Sequence, residues 1–142
     1  MNLQRNLTLP NDVETVVQLN EFVEAVCEEL EIDMSTTMSL TLAIEEAVVN
    51  VMTYAYPEGV SGTVDIEVVA DNNTVRFIIS DSGKPFDPTA KEEADITLSA
   101  EERPIGGLGI HLVRQIMDKL QYERKNGRNI LTLSKIINNS NN

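Results

Sequence analysis

From residue 3 to residue 9 the chain alternates leucine with polar residues, LQRNLTL, the period of a half-buried strand, and Pro10 stops it. Asn11 followed three residues later by Glu14 has the form of a capping box, and apolar residues at 13, 16, 17, 23, 26, 27 and 30 keep helical spacing, which predicts a first helix over about 12 to 30. A second start signal at Ser35 precedes Leu40, Ile44, Ala47, Val48 and Val51, a helix that ends before Pro57-Glu58-Gly59. Residues 63 to 70 (TVDIEVVA) and 74 to 80 (TVRFIIS) are strand-like, and the short Asp71-Asn72-Asn73 link pairs them antiparallel. Residues 84 to 105 lose periodicity, carry three prolines and the charged run KEEAD, and are expected to form a mobile lid with one helical turn. Leu108, Leu112, Val113, Ile116 and Leu120 predict a third helix over about 108 to 119. The pattern closes with Tyr122 to Lys125, an Asn126-Gly127 turn, a strand from Ile130 to Ile136 and a polar tail, NNSNN, expected to be disordered. Antiparallel strands with helices banked on one side predict an α/β two-layer sandwich whose sheet is mixed but largely antiparallel.

A length of 142 residues suits one domain, expected over 1–137 with the tail at 138–142. The net charge of −12 argues against direct nucleic-acid binding and against an anionic membrane surface, because both need lysine and arginine to meet phosphate. The N-terminus MNLQRNLTLP lacks a basic-then-apolar signal pattern, and Glu45, Glu46 and Asn50 interrupt the longest apolar stretch, so a cytoplasmic protein is expected. Cys27, the single cysteine, shares the apolar register of Val23, Val26 and Leu30 and is expected to be a core residue.

Three stretches depart from core patterning. In IEEAVVNV, Glu46 and Asn50 are four residues apart and share one helix face, while Glu45 points about 100° away. Asp81 follows FIIS at a strand end, where a carboxylate can accept a hydrogen bond from an exocyclic amine, and Gly83 lets a flat base approach the backbone. Gly106, Gly107, Leu108 and Gly109 lead into a helix whose N-terminus suits an anion, in neither a Walker nor a dinucleotide pattern. Taken singly, each also fits ordinary structure: a solvated helix face, a strand-to-loop turn, a hinge. His111 is expected to be a helix-surface residue.

In this order and spacing, Glu46-Ala-x-x-Asn50, Asp81-x-Gly83-x-Pro-Phe-Asp-Pro and Gly106-Gly107-Leu108-Gly109 resemble the N, G1 and G2 boxes of the GHKL ATPases. The stretch ERPIGGLGIHLVRQIMD resembles the anti-sigma factor serine kinases within that superfamily. The resemblance implies a Bergerat-type ATP-binding fold, ATP and Mg²⁺ as cofactors, and serine kinase activity toward a STAS-type anti-anti-sigma antagonist. A sigma factor or other regulator would be sequestered in turn, and a homodimer is the expected assembly. It implies Asn50 as the Mg²⁺ ligand, Glu46 as the general base, Asp81 and Gly83 at adenine, and Gly106, Gly107, Leu108 and Gly109 at the phosphates. The chain departs from the family pattern at Arg128 and Asn129, where relatives place a threonine after the hairpin glycine, and at Tyr54, where relatives place histidine. A nucleotide-dependent binding module with little transfer activity is the alternative, and Glu46 discriminates, since a pure binder does not need it. The catalytic domain of a histidine kinase is disfavoured, because this length leaves no room for dimerisation helices and a phospho-acceptor segment.

Overall fold

The computed structural model describes residues 2–90 and 107–137. Strand β1 (Asn2–Pro10) leads through a 3₁₀ turn (Val13–Thr15) into helices α1 (Val16–Glu29) and α2 (Met34–Tyr54). Strands β2 (Thr63–Asp71) and β3 (Thr74–Asp81), helix α3 (Gly107–Ile116) and the hairpin of β4 (Lys119–Lys125) and β5 (Arg128–Ile136) follow. The strands form one sheet in the order β1-β2-β3-β5-β4, and every pairing is antiparallel, so the sheet expected to be mixed contains no parallel pair among the described residues.

Alternation decides which face meets the helices. Val64, Ile66, Val68 and Ala70 of β2 and Val75, Phe77 and Ile79 of β3 are buried, as are Leu131 and Leu133 of β5, and they meet Leu19, Val23, Leu40, Ile44 and Val48 of α1 and α2. Cys27 lies in this core, as its register predicts, and burial pushes its thiol pKa up despite a hydrogen bond with Thr37. The inward register of β3 continues past Ile79 to Asp81, and that of β5 begins at Asn129, so two polar side chains occupy core-facing positions at the same end of the sheet. No helix among the described residues is long and apolar enough to cross a membrane.

Both helix starts lie next to the residues expected to cap them. Asp12, in extended conformation, accepts from Glu14 N at 2.9 Å, whereas Asn11 stitches the chain ends of β1 and β2, donating to Val60 O at 2.8 Å and accepting from Gly62 N at 3.0 Å. Asp33 rather than Ser35 caps α2, accepting from Thr36 N at 3.0 Å, and the hydrogen bonds from Thr36 hold its carboxyl below the usual range. The third helix stops at Ile116, three residues early, because Asp118 joins the sheet: its N–H donates to Ser134 O at 2.9 Å and its carboxylate accepts from Ile136 N at 2.6 Å. β4 therefore begins at Lys119 instead of Tyr122. The Asn126-Gly127 turn is as expected, with both residues at positive φ, the conformation a two-residue hairpin demands. Most of the expected lid and the polar tail lie outside the described residues.

Candidate functional site

Asp81 ends β3 and Asn129 sits directly across from it on β5. Both are buried, at 1% and 3% exposure. The Asn129 amide nitrogen donates to Asp81 Oδ1 at 2.9 Å and to Lys84 O at 2.8 Å. Its oxygen accepts from Phe86 N at 3.1 Å, from the Tyr122 hydroxyl at 2.5 Å and from the Arg124 guanidinium at 3.1 Å. One side chain thus holds the end of β3, the following loop and the edge strand β4 together, and its own bonding capacity is spent. Asp81 Oδ1 also accepts from Gly83 N at 2.8 Å, while Oδ2 is buried without a hydrogen-bond partner among the described residues. A buried acceptor of this kind costs on the order of 1–3 kcal/mol unless a donor meets it, so Oδ2 suits a group that would present an N–H to it, such as adenine's exocyclic amine.

The turn after Asp81 is pressed against the end of α2. A Cβ on Gly83 would lie 2.3 Å from Ala55 O, and Lys84 N donates to that same carbonyl at 2.8 Å. Gly83 is therefore required by the approach of the helix, a different reason from the ligand contact expected of it. Nearby, the Tyr56 hydroxyl donates to Thr63 O at 2.7 Å and accepts from Ser82 N at 3.1 Å, which fixes the loop to β2. Tyr54 packs its ring on Phe86 with centroids 5.6 Å apart, and burial raises its phenol pKa, so it stays neutral at physiological pH.

Along α2 the other expected site residues follow in register. Asn50 is buried at 7% exposure on a helix whose neighbouring positions Ala47, Val48 and Val51 are apolar core. Asn50 and Glu46 are separated by one turn, about 6 Å along the axis, and Ala55 at the Asp81 turn lies about 7.5 Å beyond Asn50. Glu46 is half-buried, and no hydrogen bond or ion pair ties it among the described residues. Glu45 faces α1 instead, accepting from the Asn20 amide at 3.1 Å. The structure thus brings Asp81, Gly83 and the α2 terminus together and sets Asn50 and Glu46 in line from that end.

Helix α3 packs against α2. Gly107, Leu108 and Gly109 form its first turn rather than preceding it, so their N–H groups belong to the set that no helix carbonyl satisfies. That set is the kind of donor cluster an anion fills. Gly106 lies outside the described residues. His111, on the same helix, is half-buried. Tyr122 and Arg124, not singled out in the sequence, complete the network around Asn129; nothing in a one-dimensional pattern marks them, because their role exists only once β4, β5 and β3 are paired.

Comparison with known proteins gives the family and the fold. The family described as histidine kinase-like ATPase domain matches residues 9–135. The serine/threonine-protein kinase BtrW of Bordetella bronchiseptica is 31% identical over 96 residues, 68% of either chain. The serine-protein kinase RsbW of Halalkalibacterium halodurans is 27% identical over 135 residues, 92% of this chain and 82% of that one. Among solved structures, the RsbU and RsbW domains of a Mycobacterium tuberculosis protein superpose with a TM-score of 0.63 at 18% identity, over 94% of this chain and 32% of that larger one, a likeness of fold.

Proposed function

The chain belongs to the histidine kinase-like ATPase domain family, and from that premise we propose that it is an ATP-dependent protein serine kinase and anti-sigma factor that phosphorylates a STAS-type antagonist in a partner-switching pathway. The observation that carries the nucleotide half of this reading is Asp81 Oδ2, a buried carboxylate oxygen with no donor among the described residues, held in place through its sister oxygen by Asn129 and Gly83. An acceptor-only group selects an amine over a carbonyl, hence adenine over guanine. The serine-protein kinase names of the two relatives support the other half.

The roles divide along α2 and α3. Asn50 would hold Mg²⁺ through its amide oxygen, a hard neutral donor matched to that cation. The first-turn N–H groups of Gly107, Leu108 and Gly109, with Gly106 before them, would meet the phosphates. Bound Mg-ATP supplies the transferable phosphoryl group, and the protein's part is to position it and stabilise its charge. Glu46, a turn away from Asn50, would accept the proton of the attacking serine hydroxyl. A cytoplasmic homodimer, without direct contact to nucleic acid or membrane, completes the proposal, with a sigma factor or other regulator as the protein captured when the antagonist is absent.

The test is transfer of label from γ-labelled ATP to the STAS-type domain encoded nearest to this chain. Label on a serine of that domain is the expected result. Tight Mg-ATP binding with no labelled acceptor would instead favour a nucleotide-dependent binding module.

A further inference from the structure

The sequence between residues 11 and 60 contains eleven aspartates and glutamates and no lysine or arginine, whereas acidic and basic residues nearly balance over the rest, so nearly all of the chain's net negative charge of −12 belongs to α1, α2 and their connections. On the outside of this helical layer, α1 and the N-terminal half of α2 enclose a groove of about 920 Å³. Its apolar lining comes from half-buried Ile32 before α2 and from Met34, Met38 and Leu42, one turn apart along α2 and 76%, 65% and 43% exposed. Carboxylates stand on both sides: Glu24 and Glu28 on α1, Glu45 on α2. Neither Glu24 nor Glu28 has a hydrogen-bond or ion-pair partner among the described residues, and Glu45 has only the Asn20 amide.

The groove offers no donor to compensate. The Thr41 hydroxyl donates to Thr37 O at 2.8 Å, and the Thr37 hydroxyl to Ile32 O at 3.5 Å, so the two hydroxyls in the lining are turned to the backbone. What remains is thioether and aliphatic surface framed by acceptors. Methionine adapts to the shape of an incoming apolar side chain, and three apolar positions at i, i+4 and i+8 match the spacing by which an amphipathic helix anchors itself in a groove. The carboxylates exclude a symmetric second copy, which would bring three more of the same charge against them, and they repel nucleic acid and anionic lipid alike.

We infer that this groove is a docking site for a cationic amphipathic helix of a partner protein, with aliphatic anchors on Met34, Met38 and Leu42 and lysines or arginines flanking them toward Glu24, Glu28 and Glu45. The inference does not depend on the nucleotide reading, since none of these residues belongs to the Asp81 pocket or to the Asn50 and Glu46 face.

The probe is a fluorescein-labelled model peptide of leucine and lysine whose leucines recur at helical spacing, titrated with the full chain by fluorescence anisotropy. A peptide of identical composition but scrambled order is the control. The ordered peptide should bind with a Kd on the order of micromolar, and the scrambled one at least about tenfold more weakly. Met38→Glu, at an exposed position, should weaken the ordered peptide about tenfold, and Glu24→Lys with Glu28→Lys should do so while flattening the salt dependence. Melting curves, and the shift produced by Mg-ATP, should be the same in these variants as in the wild type. Equal affinity for ordered and scrambled peptides would reduce the site to bulk charge and overturn the proposal. So would variants that bind like the wild type, or a Met38→Glu protein whose mass by light scattering drops from dimer to monomer, which would make a second copy the occupant.

Discussion

Asn129 donates its amide proton to Asp81 Oδ1 across adjacent strands at 2.9 Å, and this bond leaves Asp81 with one buried oxygen satisfied and the other open. On the proposed reading, this asymmetry would make the site select an amine over a carbonyl. Asp81→Asn offers a donor where the ligand also has one, and should raise the Kd for ATP by about tenfold or more, the value of a hydrogen bond to a charged group. Inosine triphosphate, with a carbonyl in place of the amine, should bind the wild type more weakly by a similar factor. Calorimetric titration of both nucleotides on both proteins checks this; an Asp81→Asn protein that binds ATP like the wild type would sink the assignment of the pocket.

Asn129 itself should matter to stability before it matters to affinity. Removing its side chain takes a donor from Lys84 O, one of two donors from Asp81 Oδ1, and the acceptor of Phe86 N–H, Tyr122 and Arg124, so Asn129→Ala should cost on the order of 2–4 kcal/mol in denaturant unfolding. Tyr122→Phe removes a single neutral donor to the same oxygen and should cost about 1 kcal/mol. A loss in Asn129→Ala no larger than in Tyr122→Phe would mean that the network is not cooperative.

The contrast between these two residues shows where sequence reasoning reaches. Asp81 is legible because it ends an alternating strand and starts a turn, two features confined to a few neighbouring residues. Asn129 lies 48 residues away and faces Asp81 only through the β3–β5 register, which no local pattern encodes. The same holds for Gly83, whose neighbour Ala55 belongs to another element. Strand alternation and helix periodicity locate every element, because each buries one face against a single core. The errors fall at the ends, where one hydrogen bond decides: Asp12 and Asp33 as caps, and Asp118 drawing the chain out of α3 into the sheet.

Gly83→Ala should be destabilising for a reason independent of any ligand. The added methyl would stand 2.3 Å from Ala55 O, a backbone atom at the end of α2, so either the loop or the helix terminus must move and the Lys84–Ala55 hydrogen bond stretches. The expected cost is about 1–3 kcal/mol by thermal or chemical unfolding. An unchanged melting temperature would show that the loop yields freely, and the turn would then be a poor platform for Asp81.

Cys27 should be inert in the folded protein. It is 1% exposed and its thiol pKa is raised by burial, so both access and thiolate fraction are low near neutral pH. Reaction with a chromogenic disulfide should be slower than for the denatured chain by on the order of 10²-fold, limited by opening of the α1–α2 core. Rapid stoichiometric labelling under native conditions would contradict the packing described.

Glu46→Gln separates transfer from binding. On α2, Glu46 stands one turn from Asn50 on the same face, and no hydrogen bond or ion pair engages its carboxylate among the described residues, so the group is available to act on a ligand rather than to hold the fold. If it accepts the serine proton, the amide, equal in size and unable to take a proton, should lower phosphotransfer by on the order of 10²-fold or more. The affinity for Mg-ATP, which the proposed reading assigns to Asp81, Asn50 and the α3 terminus, should stay within a few-fold. Both quantities should be measured on one preparation with the STAS-type domain as acceptor. Transfer at the wild-type rate would make Glu46 a solvated helix residue, and joint loss of binding and transfer would make it structural. If Asn50 holds Mg²⁺ as proposed, Asn50→Ala should give the converse pattern: weaker metal retention should reduce binding and transfer together, with excess Mg²⁺ restoring part of both.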